Sequence, residues 1–403
     1  MDCRVSGKPL IEVVDFGKQP LGNGFLTEDL FSKEYFYNMK VGFDEESMML
    51  QLFDQPKPEY MFHEEYAFFS STSRYMQKHF QEWAEGILNK EILTDKFIVE
   101  IGCNDGILLE NFSKRGVKCL GVEPSENVAK IASSKGIDVI NEFMCSATAE
   151  NIKNKHGEVD YIFAANVICH IPAIVDFAKS IEILLSKKGV FTFEEPYLGD
   201  VIDKCSYDQI YDEHVFVFSC LSIQHLFNKV GLELINAEHQ TTHGGSMRYT
   251  IGRKNEHKIS DNVKEYIDRE VVQGLNNAEI MKAFGEKVSD SKEKLNALLS
   301  QLKSEGHVIC GYAATSKSTT ILNYCGIDSN TVDCIFDTTP MKQGKYSPGM
   351  HIPILPWEEF SHKNYQHTFL FAWNHINEIM NKESEYTSSG GKWITHVPTV
   401  KII

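Results

Sequence analysis

The sequence predicts an α/β protein: a doubly wound parallel sheet, preceded by a small β-rich module and followed by a second α/β domain. One observation is the stretch 97–110, FIVEIGCNDGILLE, where an apolar run suited to a buried strand turns through Gly102, Asn104, Asp105 and Gly106 into a helical pattern. Another is the alternation that follows it. Strand patterns at 117–122, 138–141, 161–164 and 189–194 are separated by helical patterns at 125–135, 147–155 and 173–185. Such alternation builds a sheet whose ligands bind at the carboxyl ends of its strands. A third is a second unit of the same kind, with a strand at 307–311, a turn at 312–316, a helix at 317–324 and a strand ending in Asp337.

The 403 residues are enough for two or three domains, and 42% hydrophobic with 24% charged residues is the make-up of a globular protein. A formal net charge of −16 argues against a broad nucleic-acid footprint, so an anionic substrate needs a local positive site. No apolar run approaches the roughly 20 residues of a membrane span, and MDCRVSGKPL lacks the apolar core of a signal peptide. The expectation is a cytoplasmic protein, a monomer or small homo-oligomer, without nucleic-acid or membrane partners. Ten scattered cysteines then read as reduced thiols.

Residues 1–72 hold short β-like pieces and could hardly stand on a core of their own. Small modules of this type often carry a zinc staple. Here the metal-ligand positions hold Cys3, Ser6, Asp44 and Ser47, so no structural zinc is expected. The segment EYMFHEEYAFFSSTS, 59–73, is rich in tyrosine, carboxylates and hydroxyls; it is either a ligand wall or a solvated loop. A helix pattern over 74–90 leads into the main sheet domain, 73–253. Residues 254–304 are strongly charged and helical in pattern, most simply a solvated face joining two domains. In the last domain, 305–403, Ala313, Ala314 and Thr315 make a poor dinucleotide loop, and capping a turn is the simpler role for Asp337. Ser316 and Lys317 at a helix N-terminus nevertheless form a fair anion site.

The first glycine turn is not the G-x-G-x-x-G fingerprint, because Asn104 stands where the second glycine belongs. Glu100, the Gly102/Gly106 pair and Glu123 instead resemble the S-adenosylmethionine site of class I methyltransferases, with Glu123 placed to accept from a ribose diol. Topology adds Asn104, Asp105, Asn141 and Asn166 to that site, and Pro124 and Ser70 join them as candidate contacts. His170 follows the fourth strand end, on the cleft side of the sheet. In QIYDEHVFVFS, 209–219, Tyr211, Glu213 and His214 abut the apolar residues 215–218. Neighbours on an extended chain face opposite ways, so Glu213 does not simply pair with His214. His243 and Arg248, in HGGSMR, hold a phosphate or close the last hairpin.

Taken together, DFGKQPLGNGF, EYAFFSSTS, VEIGCNDGILL, NVICHIP, YDEHVFVFS, HGGSMR and GYAATSKSTTILNYCGID resemble, in family order, the sugar C-methyltransferases that act on nucleotide-linked 4-keto-deoxysugars. The resemblance implies a zinc-binding N-terminal module, from which this chain departs by keeping only Cys3 of the four cysteines. It also implies a central class I S-adenosylmethionine-binding domain and a C-terminal domain that helps bind the sugar nucleotide. His214 is then the catalytic base, with Tyr211 and Glu213 beside it and His170 and Tyr66 lining the sugar site. Tyr312, Ser316 and Lys317 join His243 and Arg248 as candidate substrate contacts. The implied reaction methylates C3 of a thymidine- or guanosine-diphosphate 4-keto-6-deoxyhexose and releases S-adenosylhomocysteine. O- or N-methylation of a sugar or small metabolite, and a non-catalytic binding protein, are the competing readings.

Overall fold

The computed structural model describes residues 1–61, 69–90, 92–360 and 365–403, and three sheets organise them. The first begins with the antiparallel strands β1 (Ile11–Pro20), β2 (Phe36–Asp44) and β3 (Met49–Leu52). The second opens with β4 (Phe97–Ile101), β5 (Lys118–Val122), β6 (Asp138–Ile140), β7 (Val159–Ala165) and β8 (Leu185–Pro196), paired in parallel throughout. The chain then crosses over. β9 (Phe216–Val217) pairs with β3 in the first sheet, before β10 (Leu232–Gln240) and β11 (Ser246–Arg253) return as a hairpin antiparallel to β8. The main sheet runs β10-β11-β8-β7-β4-β5-β6, a doubly wound order that reverses between β4 and β7. A ligand crevice belongs at that reversal. All five residues of β4 are buried, as a central parallel strand requires.

The third sheet follows the same plan with β12 (Ile309–Tyr312), β13 (Ile335–Asp337), β14 (Ile354–Pro356), β15 (His367–Leu370), β16 (Lys392–Thr395) and β17 (Lys401–Ile402). Its order is β14-β13-β12-β15-β16-β17, with only β17 antiparallel to its neighbour. Among the helices, α1 (Arg74–Leu88) packs beside the main sheet and α2 (Leu109–Ser113) follows the glycine turn. α3 (Ala278–Ser304) joins the second sheet to the third, and α4 (Ser316–Cys325) follows β12. No helix among the described residues is long and apolar enough to cross a membrane.

The charged segment does more than present a solvated face. α3 buries Met281, Phe284, Val288, Leu295, Leu299 and Leu302 in one apolar cluster with Val14 and Phe16 of β1 and Ile321 and Leu322 of α4. Its acidic and basic residues occupy the other side, which is why the sequence pattern looked merely solvated. The small N-terminal module shares this core and borrows β9 to complete its sheet.

The four metal-ligand positions of that module do converge, but on one another. Ser47 Oγ donates to Asp44 Oδ2 at 2.5 Å and lies 3.3 Å from Cys3 Sγ, while the Val5 and Ser6 amides approach the same sulfur at 3.3 and 3.5 Å. One thiol, one carboxylate and two hydroxyls do not fit a structural zinc site, which takes four thiolate, imidazole or carboxylate ligands.

Candidate active site

A cavity of about 600 Å³ opens at the carboxyl ends of β4, β5 and β7 and continues to the N-terminus of α4. Its floor is the glycine turn. Gly102 sits at φ +66°, and a Cβ there would lie 2.3 Å from Val167 Cγ2, so only glycine lets the turn pass beneath that loop. Asn104 also adopts a left-handed backbone, and its amide donates to Glu123 Oε2 at 3.0 Å. The Ser125 amide donates to the other Glu123 oxygen at 2.8 Å, and the Asn141 amide group bonds the Glu123 and Pro124 carbonyls from behind. Ser70 closes the rim through its own amide, donating to Asn104 Oδ1 at 3.0 Å. The helix after the turn is short. α2 begins only at Leu109 and spans five residues, so its dipole contributes little and the turn's own backbone shapes the site.

Of the expected cofactor contacts, Gly102, Asn104, Glu123, Pro124, Asn166 and Ser70 line the cavity. Glu100, Asp105, Gly106 and Asn141 do not. Glu100 is buried behind β4, where desolvation holds its carboxyl well above the usual range against a hydrogen bond from the Leu109 amide. Asp105 faces away, accepting from the Ser71 amide at 3.0 Å.

The candidate catalytic groups Tyr211, Glu213, His214 and His170 line the same cavity. His214 Nδ1 donates to the Gln209 carbonyl at 2.7 Å, which fixes the tautomer, because a carbonyl can only accept. Nε2 is therefore the acceptor, and Tyr211 Oη donates to it at 2.7 Å. The His170 ring stacks on His214 with centroids 5.3 Å apart. Burial pulls His170 down to about 4, and burial, with the repulsion that protonated rings this close would exert on each other, holds His214 well below its ordinary value, so both rings are neutral near neutrality. Burial pushes the neighbouring Asp212 and Glu213 carboxyls upward, and the Asp212 charge adds to the shift of Glu213. As expected, Glu213 does not pair with His214; its Oε1 accepts from Asn23 Nδ2 at 2.7 Å. Cys169, His170 and His214 bring potential ligand atoms within 4.8 Å of one another, yet both His214 nitrogens are already hydrogen-bonded within the protein.

Several contributors escaped the sequence reading. Gln209 supports His214 through its carbonyl and holds the His243 carbonyl with its side-chain amide at 2.5 Å. Glu195 Oε1 accepts from the Val167, Ile168 and Cys169 amides at 3.0, 2.6 and 3.4 Å and so pins the loop that carries His170; burial pushes its carboxyl up to about 7. Phe143 and Met144 line an apolar slot beside Glu123, and Lys342 and Asn374 line the far end. Lys342 and Asn374 come from segments far along the chain, and no local pattern marks them.

His243, Ser316 and Lys317 reach the cavity as expected, and Asn166 Nδ2 lies 3.3 Å from His243 Nε2. Two expected substrate contacts do not. Arg248 is already engaged by Glu194, with Nε–Oε1 at 2.6 Å and Nη2–Oε1 at 2.5 Å, and lies over the Trp83 ring, so it ties β11 to the neighbouring strand β8. Tyr312 donates to Glu383 at 2.7 Å inside the core of the third sheet. Tyr66 lies outside the described residues.

Charge divides the cavity. On the side of β4 and β5 the ionisable lining is acidic, Glu123 and Glu142, whereas the two lysines among the described lining residues, Lys317 and Lys342, both come from the C-terminal domain. A cationic ligand belongs at the first end and an anionic one at the second.

A doubly wound sheet with this crevice is the frame of a class I methyltransferase, and family models agree along the whole chain. One described as "Putative zinc binding domain" matches residues 3–62, "Methyltransferase domain" matches 72–237, and "C-methyltransferase C-terminal domain" matches 241–398. The C-methyltransferase NovU of Streptomyces niveus is 28% identical over 406 aligned residues, covering 100% of this chain and 96% of that protein. The chain is a methyltransferase enzyme and is similar over its whole length to a C-methyltransferase. A ubiquinone biosynthesis O-methyltransferase of Colwellia psychrerythraea is 25% identical over 123 residues, 30% of this chain and 50% of that protein. The magnesium protoporphyrin IX methyltransferase of Synechocystis PCC 6803 aligns at 12% identity with a TM-score of 0.35, covering 44% of this chain and 79% of that one.

The acidic end fits S-adenosylmethionine: an apolar slot at Phe143 and Met144, a carboxylate at a strand end, and no lysine or arginine among the described residues lining that side, where a sulfonium has to sit. Gly102, Asn104, Glu123, Pro124 and Asn166 are the residues that would hold it.

Proposed function

We propose that the protein methylates C3 of a nucleotide-linked 4-keto-6-deoxyhexose, with the thymidine or guanosine diphosphate at the Lys317–Lys342 end. The observation that carries this reading is the neutral His214, its Nε2 lone pair engaged by Tyr211, placed between the cation-fitting and anion-fitting ends of one cavity. A hydrogen on carbon next to a ketone is weakly acidic, and its removal needs a neutral base and donors for the oxyanion that develops. His214 Nε2 takes the proton, with the Tyr211 hydroxyl as the relay that bonds it. A neutral His170 keeps an N–H to offer the enolate oxygen. Bound S-adenosylmethionine supplies a methyl group made electrophilic by its sulfonium. The likeness to a relative whose name specifies C-methylation supports carbon as the acceptor.

The test is mass spectrometry after incubation with S-adenosylmethionine and, separately, each of the two 4-keto nucleotide sugars. A gain of one methyl on one of them is the expected result and selects the nucleotide. A companion incubation in deuterated water without methyl donor reports exchange at C3. Methyl gain without such exchange would assign the chemistry to oxygen or nitrogen instead.

A further inference from the structure

The N-terminal module sends one loop into the cavity. Gly22 and Asn23, in the turn between β1 and the short 3-10 helix Glu28–Lys33, reach both other domains. The Gly22 amide donates to Asp212 Oδ1 at 3.0 Å, and its carbonyl accepts from Thr319 Oγ1 at 2.9 Å. A Cβ at Gly22 would lie 2.7 Å from Asp212 Oδ1 and 3.4 Å from Ser316 Cβ, so the loop enters only because that residue has no side chain. Asn23 follows and lines the cavity with both ends of its amide engaged: Nδ2 donates to Glu213 Oε1 at 2.7 Å, and Oδ1 accepts from Ser316 Oγ at 2.9 Å.

We propose that Asn23 is a positioning residue of the reaction centre: it holds the Glu213 carboxyl at the cavity wall and ties it to Ser316 at the N-terminus of α4. An amide suits this place because it donates to a carboxylate on one side and accepts from a hydroxyl on the other, which neither aspartate nor leucine does. The module that lacks the donor set for zinc thereby supplies a part of the site that neither larger domain contains. The catalytic side of the proposal rests on the C-methylation reading; the geometric side does not. Among the described residues the Asp212 carboxyl also acts on Glu213, and the Glu213 charge in turn raises the Cys169 thiol.

The experiment uses Asn23→Leu, which keeps the branched shape and removes both bonds, with Asn23→Ala as a second variant. Infrared titration of the full-length protein follows the carboxyl band that disappears in Glu213→Gln. Loss of the Asn23 donor, which favours the ionised carboxyl, moves the midpoint of that band upward in both Asn23 variants. For turnover, kcat falls about tenfold with KM for both ligands unchanged. Ser316→Ala gives a smaller shift in the same direction. A band midpoint equal to that of the wild type in folded Asn23→Leu, or a changed Tm with unchanged titration, would overturn the assignment. Failure of the wild type to exchange deuterium at C3 would remove the carbon chemistry and leave the infrared result to decide on Asn23 by itself.

Discussion

At the end of β4 the chain turns through Gly102 and Gly106, and at the end of β12 it turns through Ala313 and Ala314; each turn hangs from an acidic residue at the end of the next strand. Glu123 accepts from the Asn104 and Ser125 amides at 3.0 and 2.8 Å, and Asp337 accepts from the Ala314 and Thr339 amides, both at 2.7 Å. The device is the same, but the space in front of it is not. The first turn faces open cavity, whereas Lys342 Nζ fills the second by donating to the Ala314 carbonyl at 2.7 Å. The second unit therefore meets the cavity not through that turn's interior but at Thr315, Ser316 and Lys317 of the helix end, at Lys342, and at Ala372, Asn374 and His375. A carboxylate that caps a turn does not by itself make a nucleotide site. What matters is whether the turn it holds is left empty.

The comparison breaks most sharply at the residue between the two ends. His214→Asn is expected to lower kcat by about 10²- to 10⁴-fold, the range of a lost general base, with S-adenosylmethionine still binding by calorimetry. Normal turnover in that variant would disprove its role. Each end then has its own lesion. Gly102→Ala puts a Cβ within 2.3 Å of Val167 and is expected to cost about 1–3 kcal/mol in a denaturant titration and to weaken the cofactor end alone. Lys317→Gln is expected to raise KM for an anionic nucleotide sugar about tenfold while leaving S-adenosylmethionine affinity unchanged, measured by steady-state kinetics and calorimetry.

The second turn gives a smaller effect of opposite sign. Ala313 holds φ +71°, a conformation that glycine adopts without penalty, so Ala313→Gly is expected to be within about 1 kcal/mol of neutral or stabilising, far from the response at Gly102. The smallest effect concerns pH. Burial pulls His170 to about 4 and His243 to about 3, whereas both titrate near 6.5 in the unfolded chain. The stability tied to their neutral forms is complete above the unfolded value and is lost as pH falls toward the folded ones. A lower Tm at about pH 5 than at about pH 7.5 is expected, and His243→Asn, which tolerates the left-handed backbone at that position, is expected to reduce the difference.

The elements were legible where local pattern decides them. The strand at 97–101, its glycine turn, the alternation after it and the proximity of Tyr211, Glu213 and His214 all follow from apolar runs, turn residues and short spacings. Arg248 and Tyr312 were misplaced for one shared reason: a sequence shows that a residue can bind a ligand, but not that Glu194 or Glu383 has already taken it. Glu100 was misplaced because strand alternation does not say which face of a fully buried strand meets the cavity. Lys342 and Asn374 left no signal, and Asn23 stood in the DFGKQPLGNGF motif without a role, since each is an ordinary polar residue until the fold brings it to the cavity.

The sequence by itself determined a doubly wound sheet with a glycine-opened crevice, a His–Tyr–Glu cluster near it, and an N-terminal module whose metal-ligand positions hold Cys3, Ser6, Asp44 and Ser47. Those features depend on composition over a few consecutive residues, where backbone preference and hydrophobic period act. The tertiary structure alone decided that β9 leaves its own domain to complete the N-terminal sheet and that the Gly22–Asn23 loop touches both larger domains. It alone decided, too, that the two lysines face the acidic end across one cavity. Contacts of that kind depend on which buried surfaces find each other across hundreds of residues, and hydrophobic burial, being non-directional, writes no local mark for them.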